Sequence, residues 1–188
     1  MTSEELYYDH YKDTFAEQKG YLARRNKLTL YLFLILMVFG FQLDNPQTIE
    51  LFTSKLIESK VPGATIGFDI INLLFELLFL WVVVSYYQVN FTVERTYKYI
   101  HAIETKLSSD KFSINREGKD YKKDYPFLLT LVHWFYIIAL PILVIVFSVL
   151  KIIHRCDYGF VTLQIVVLVV AIIFSILYII RRCFHKDT

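Results

Sequence analysis

Cysteine, proline and glycine are scarce in this chain of 188 residues, which has two, four and six of them respectively. The two cysteines, Cys156 and Cys183, lie near opposite ends of one apolar run, about a membrane thickness apart if that run is helical. They therefore cannot form an intrachain disulfide, and a disulfide-stabilised scaffold is excluded. The sequence also lacks a P-loop, a GxSxG elbow, an HExxH pair and a paired-cysteine motif, so it does not predict an enzyme.

Charged residues are nearly absent from four long apolar runs, which cover residues 28–43, 64–89, 127–150 and 158–180. A helix needs about 20 mostly apolar residues to cross a bilayer, so the runs predict four transmembrane helices. Hydrophobic residues make up 55% of the chain and aromatic residues 17%, more than a soluble domain of this size carries. We expect an all-α polytopic membrane protein.

Basic residues are distributed unequally among the segments that connect these runs. Sixteen of the 20 Lys and Arg lie before the first run, between the second and third, or after the fourth. The other four are Lys55, Lys60, Lys151 and Arg155, the last two in a tight outer turn. Because basic loops stay on the cytoplasmic side, both termini are predicted to be cytoplasmic.

These boundaries divide the chain into five segments. They are a cytosolic or interfacial amphipathic helix at 1–27, a first transmembrane hairpin at 28–93 with an outer loop at 44–63, a cytosolic helical loop at 94–126, a second hairpin at 127–180 and a cytosolic tail at 181–188. Gly20 is a candidate break in the first helix. Ile49, Phe52 and Leu56 have helical spacing and predict a short helix in the outer loop.

The second apolar run continues beyond the membrane as a heptad-like pattern without a helix breaker. Its apolar positions include Val93, Ile100, Ile103 and Leu107, so the second span is predicted to extend into a cytosolic helix. That helix could pair with the same helix of another subunit, or pack on the N-terminal helix of its own chain. Both uses remain open from the sequence.

A polar stripe runs along the second span. Asp69, Asn72 and Glu76 lie within about 60° of one helix face, and ionisable residues in a span cost about 2.5–3.5 kcal/mol each. In one interpretation they line a polar pathway that opens to an outer vestibule with Gln42 and Gln164. In the other, Asp69 reaches the headgroups while Asn72 and Glu76 join helices by hydrogen bonds.

Three other features of the sequence are less specific indications of function. Pro141 removes one backbone hydrogen bond from the third span and is a candidate hinge. In the inner loop eight basic residues meet six acidic ones, which argues against nucleic-acid binding. No pair of histidines has the spacing of metal ligands, so neither a metal nor another cofactor is predicted.

The layout is a short N-terminal helix, two membrane hairpins and an inner loop with residues 96–107 and the segment Arg116-Glu117-Gly118-Lys119-Asp120-Tyr121. It resembles that of small multi-span membrane proteins of bacterial anti-phage systems. These include membrane effectors of nucleotide-signalling systems, the membrane subunit of the Kiwa system and membrane accessory proteins of RNA-targeting CRISPR loci. The resemblance implies a homo-oligomer of the bacterial inner membrane with a cytosolic protein partner, and Arg116, Lys119 and Tyr121 are candidate contacts to another subunit or to that partner.

Three functions are compatible with these observations. The first is a channel or pore-like defence effector that its cytosolic region controls. The second is a membrane anchor or sensor that binds and restrains a cytosolic effector. The third, a small transporter, ranks last because the acidic stripe has no cationic partner within the predicted spans.

Overall fold

The computed structural model describes residues 3–60, 67–107, 127–156 and 162–184, and of these only Asn45 and Gly67 are not helical. The helices within these ranges are α1 (Ser3–Asp44), α2 (Pro46–Lys60), α3 (Phe68–Leu107), α4 (Phe127–Trp134), α5 (Leu140–Cys156) and α6 (Thr162–Phe184). A π-helical turn, Phe135–Ala139, joins α4 to α5. The all-α prediction is confirmed for this part of the chain.

Four helical stretches are long and apolar enough to cross a membrane, as predicted. They are found in α1, in α3, across α4 and α5, and in α6. α1 has 42 residues and α3 has 40. At about 1.5 Å per residue each is about 60 Å long, roughly twice the thickness of a hydrocarbon core, so only part of each can lie within a bilayer.

The chain forms two compact units. The first unit contains residues 1–28 and 86–134, and the second contains residues 29–85 and 135–188. α1 and α3 each contribute one part to either unit. The polar stripe of the second predicted span lies in the second unit.

In the first unit the N-terminal part of α1 packs on the C-terminal part of α3. Tyr11, Ile100 and Ile103 form a buried cluster, against which Phe15 packs. The Tyr11 hydroxyl donates a hydrogen bond of 3.1 Å to Oε1 of the buried Glu104. This is the intrachain use of the heptad pattern that the sequence left open.

The other residues of the predicted cytosolic contact do not belong to this cluster. Val93 is also buried within the chain, and Leu107 is the last residue of α3. Arg116, Lys119 and Tyr121 lie outside the residues that the structure describes.

The core of the second unit forms from α1, α3, α5 and α6. Phe39 of α1 meets Phe79 of α3 edge to face, with ring centroids 5.0 Å apart, and both rings are fully buried. α5 packs along α6. The small side chains of Ala171 and Ser175 are buried on α6, which allows neighbouring atoms to approach closely.

Pro141 lies just after the π-helical turn. Proline has no backbone N–H and its ring crowds the preceding turn, so a regular helix cannot continue unchanged through it. The turn at Phe135–Ala139 widens the helix where this conflict falls. The predicted irregularity is present, while hinge motion at Pro141 stays a prediction.

Two local predictions are wrong. Gly20 does not interrupt the first helix, because α1 continues through it. Lys151 does not lie in an outer turn, because α5 continues to Cys156 and buries the lysine side chain. Without Lys151, three basic residues remain in the connections that are predicted to be outer, so the charge asymmetry that predicts the orientation becomes larger. The predicted outer-loop helix is confirmed as α2.

Gly20 offers a direct test of helix continuity. A Cβ atom added there would meet no atom within 4 Å, so Gly20→Ala is expected to raise the free energy of unfolding by about 0.5–1 kcal/mol. Gly20→Pro should instead lower it by about 3 kcal/mol or more, because it breaks the backbone hydrogen bonding. Thermal melts followed by circular dichroism in detergent measure both effects, and a lower melting temperature for Gly20→Ala would contradict a continuous helix.

Tyr11→Phe tests the packing of the first unit. It removes the donor to Glu104 and keeps the ring, so we expect the free energy of unfolding to fall by about 1.5–3 kcal/mol. Tyr8→Phe is the matched control, because Tyr8 is half exposed. Equal melting curves for the two variants would contradict the role of this hydrogen bond.

Candidate functional site

A buried ion pair joins α3 to α5 in the second unit. Lys151 Nζ lies 3.2 Å from Glu76 Oε1, and the two residues are 4% and 0% exposed. Lys151 follows Val144 and Ser148 on one face of α5, and both of these are also buried. The face of α5 that packs inward therefore carries a charge at its C-terminal end.

Gln42 of α1 extends this pair into a network across three helices. Lys151 Nζ donates a hydrogen bond of 2.7 Å to Gln42 Oε1, and Gln42 Nε2 donates one of 2.9 Å to Asn72 Oδ1 on α3. With the amide turned round, its NH2 group would face the ammonium and the hydrogen bond from Lys151 would be lost. The contacts with Lys151 and Asn72 therefore orient the amide of Gln42 together.

The aromatic ring of Phe39 forms a further contact of the lysine. Lys151 Nζ lies 4.0 Å from the ring centroid, within the range of a cation–π interaction. Phe39 is in turn held by Phe79. The ammonium group thus contacts a carboxylate, an amide oxygen and an aromatic face, and these three groups come from α1 and α3.

Asp69 and Gln164 take part differently from their predicted roles. Gln164 is fully buried, and its Nε2 donates a hydrogen bond of 2.6 Å to the backbone oxygen of Asp69. The Asp69 side chain is exposed. The stripe therefore separates into two buried residues, Asn72 and Glu76, and one exposed residue, Asp69.

The ion pair governs the energetics of this cluster. Taking a carboxylate and an ammonium out of water costs several kcal/mol each, and their attraction repays this only with good geometry and further hydrogen bonds. Gln42 supplies one such bond to the ammonium. Removing one charge while leaving the other buried costs about 3–5 kcal/mol, so the two charges depend on each other.

Sequence reasoning identified three of the five residues in this network, Gln42, Asn72 and Glu76. It missed Lys151 because a lysine one residue beyond an apolar run was assigned to a loop. A signal was present, since Val144, Ser148 and Lys151 have the spacing of one helix face. No sequence pattern distinguished Phe39 from the other apolar residues of the first predicted span.

An apolar groove of about 540 Å³ lies in the second unit. Its lining includes Phe33, Met37 and Phe147, and among the described residues that line it only Asp44 is charged. Ligand sites need several converging polar groups to orient a ligand. The polar network is therefore the better candidate site.

Neither a metal site nor a similar protein identifies a function for this cluster. Within residues 3–60, 67–107, 127–156 and 162–184, no three His, Cys, Asp or Glu side chains are grouped so that they could hold a metal ion. No protein-family model, curated protein or solved structure matches the chain. The contacts of the network therefore carry the functional argument.

A double-mutant cycle tests the mutual dependence of the two charges. Glu76→Gln and Lys151→Met are each expected to lower the free energy of unfolding by about 3–5 kcal/mol, because each leaves one buried charge. The double variant should lose less than the sum, with a coupling of roughly 0.5–3 kcal/mol. Unfolding in mixed micelles measures these values.

Asp69→Asn is the matched control for the cycle. It changes an exposed acidic residue in the first turn of the same helix, so a loss of no more than about 1 kcal/mol is expected. Strictly additive losses for Glu76 and Lys151 would show that the pair is not energetically coupled.

Proposed function

We propose that the protein is a multi-pass membrane protein that conducts ions, and that the Glu76–Lys151 pair holds its polar pathway closed. The observation that carries this proposal is the buried ion pair among helices long enough to span a membrane. Ionisable residues in spans are rare and costly, and they usually mark a route for ions or protons.

Stability alone does not explain the pair. Replacing a buried ion pair by apolar residues of similar volume is often neutral or stabilising, and small residues join membrane helices without any charge. The second unit already has such packing in Phe39–Phe79 and around Ala171. A device that opens and closes, in contrast, benefits from charges that can separate.

The structure of α5 supports a way to separate them. Lys151 lies ten residues after Pro141, on the helix that follows the π-helical turn. Such turns are frequent at functional sites and lack the regular hydrogen bonding of an α-helix. A shift of α5 at this turn would withdraw the ammonium and leave Glu76, Asn72 and the oxygen of Gln42 facing the vacated space.

The wider setting is part of the same proposal. We place the protein in a bacterial inner membrane as a homo-oligomer with cytoplasmic termini, with a cytosolic region that controls opening in response to a defence partner. The basic residues at the ends and in the inner loop support this orientation, and the resemblance to anti-phage membrane proteins supports the context.

A small ion-coupled transporter is the second candidate. Its low rank rested on the lack of a cationic partner for the acidic stripe, and Lys151 is such a partner. Paired acidic and basic residues buried between helices suit a carrier that exchanges one ion at a time.

A membrane anchor for a cytosolic protein is the third candidate. Tyr7 and Tyr8 on α1 and Tyr99 on α3 have between 44% and 49% of their surface exposed in the first unit. Exposed tyrosines are frequent at protein interfaces, which favours a docking surface there.

Ion flux in proteoliposomes tests conduction. We expect little cation flux from the wild-type protein and at least tenfold more from Lys151→Met, because the substitution leaves Glu76 available to cations. Glu76→Gln with Lys151→Met should return the flux to the wild-type level, and Asp69→Asn should not change it. Equal flux from all four proteins would overturn the proposal.

The same liposomes separate a channel from a transporter. A transporter accumulates labelled cation when the interior holds unlabelled cation, since the two exchange on one site. When the membrane potential is held at zero, an open channel lets the label equilibrate without accumulation.

A further inference from the structure

We propose that Phe39, Gln42 and Glu76 form a binding site for a monovalent ammonium-type cation, and that the side chain of Lys151 occupies this site as a tethered ligand. The inference rests on the proposed function, for which it names the class of ion. It concerns binding, however, and can be tested without any flux.

The three residues offer complementary contacts to one nitrogen. Nζ of Lys151 lies 3.2 Å from Glu76 Oε1, 2.7 Å from Gln42 Oε1 and 4.0 Å from the centre of the Phe39 ring. A carboxylate supplies charge, an amide oxygen accepts an N–H, and a π face attracts the cation. Proteins recognise free ammonium groups with the same three kinds of contact.

The residues that form the walls of the site also contact one another without the lysine. Asn72 holds the amide of Gln42, and Phe79 packs against the ring of Phe39. These residues all belong to α1 and α3, whereas the lysine comes from α5. Withdrawal or removal of the lysine therefore leaves a prepared site.

Charge sets the class of ligand. Without Lys151, Glu76 is the only formal charge among the residues that form the site, so the site favours a cation and disfavours an anion. The amide oxygen of Gln42 favours a cation that carries N–H donors. A bulky quaternary ammonium lacks these donors.

The lysine side chain defines the matched probe. Beyond Cβ it consists of a propyl chain with a terminal ammonium, so Lys151→Ala leaves space for n-propylammonium. n-Propanol has the same chain without the charge. Tetramethylammonium has the charge without an N–H group.

The experiment measures the melting temperature of the purified full chain in detergent. For Lys151→Ala we expect a saturable rise with n-propylammonium, of about 5–10 °C at roughly 100 times its Kd. n-Propanol and tetramethylammonium should have no such effect. Lys151→Ala with Glu76→Gln, which keeps the space and removes the charge, should not respond to n-propylammonium.

Three outcomes would overturn the proposal. They are no response of Lys151→Ala, an equal response of the double variant, and failure to recover folded Lys151→Ala even with n-propylammonium present throughout purification. The last outcome counts because a site that accepts a free ammonium would replace the missing charge.

The two proposals can fail separately. If n-propylammonium binds and the liposomes show no flux, the ammonium site stands and conduction fails. If flux rises in Lys151→Met and no amine binds, conduction stands and the ion class is wrong.

Discussion

The attraction between Glu76 and Lys151 is the interaction on which the second unit depends. Removing either charge while the other stays buried costs about 3–5 kcal/mol. Their meeting requires α3 and α5 to hold a fixed register, and Gln42 brings α1 into the same register through its hydrogen bond to the lysine. Apolar side chains surround these contacts, but apolar packing alone tolerates sliding and repacking that a buried ion pair does not.

The outer surface of the helices fits a hydrocarbon solvent. Large apolar side chains such as Leu34, Met37, Val146 and Leu177 are about half exposed, and in water they would form an extended apolar surface. In a bilayer such side chains cost nothing, while each buried polar group still needs a partner. A hydrocarbon solvent would therefore favour both the apolar residues on the outside and the confinement of the polar network between helices.

The first unit also contains a buried carboxylate with a hydrogen-bond partner on another helix. Glu104 is buried in the contact between α1 and α3 and accepts a hydrogen bond from Tyr11, beside a cluster with Ile100 and Ile103. The heptad-like spacing predicted that these isoleucines would be covered. The spacing did not determine whether α1 or another copy of the chain would cover them. An apolar stripe requires a complementary apolar surface, but it does not specify which chain supplies that surface.

The sequence by itself determined the helices and the candidate spans. The length of an apolar run and the absence of helix breakers are local properties, and they do not depend on residues far away in the chain. It also placed Asn72 and Glu76 on one face. Only the tertiary structure decided that Gly20 continues a helix, that Asp69 turns outward, and that Lys151 turns inward to Glu76. These outcomes depend on which neighbours lie across the interface, and a lysine at the end of an apolar run can extend to the headgroups or pair with an acid. The acidic partner, Glu76, determines the direction of the Lys151 side chain, and it lies 75 positions earlier in the chain.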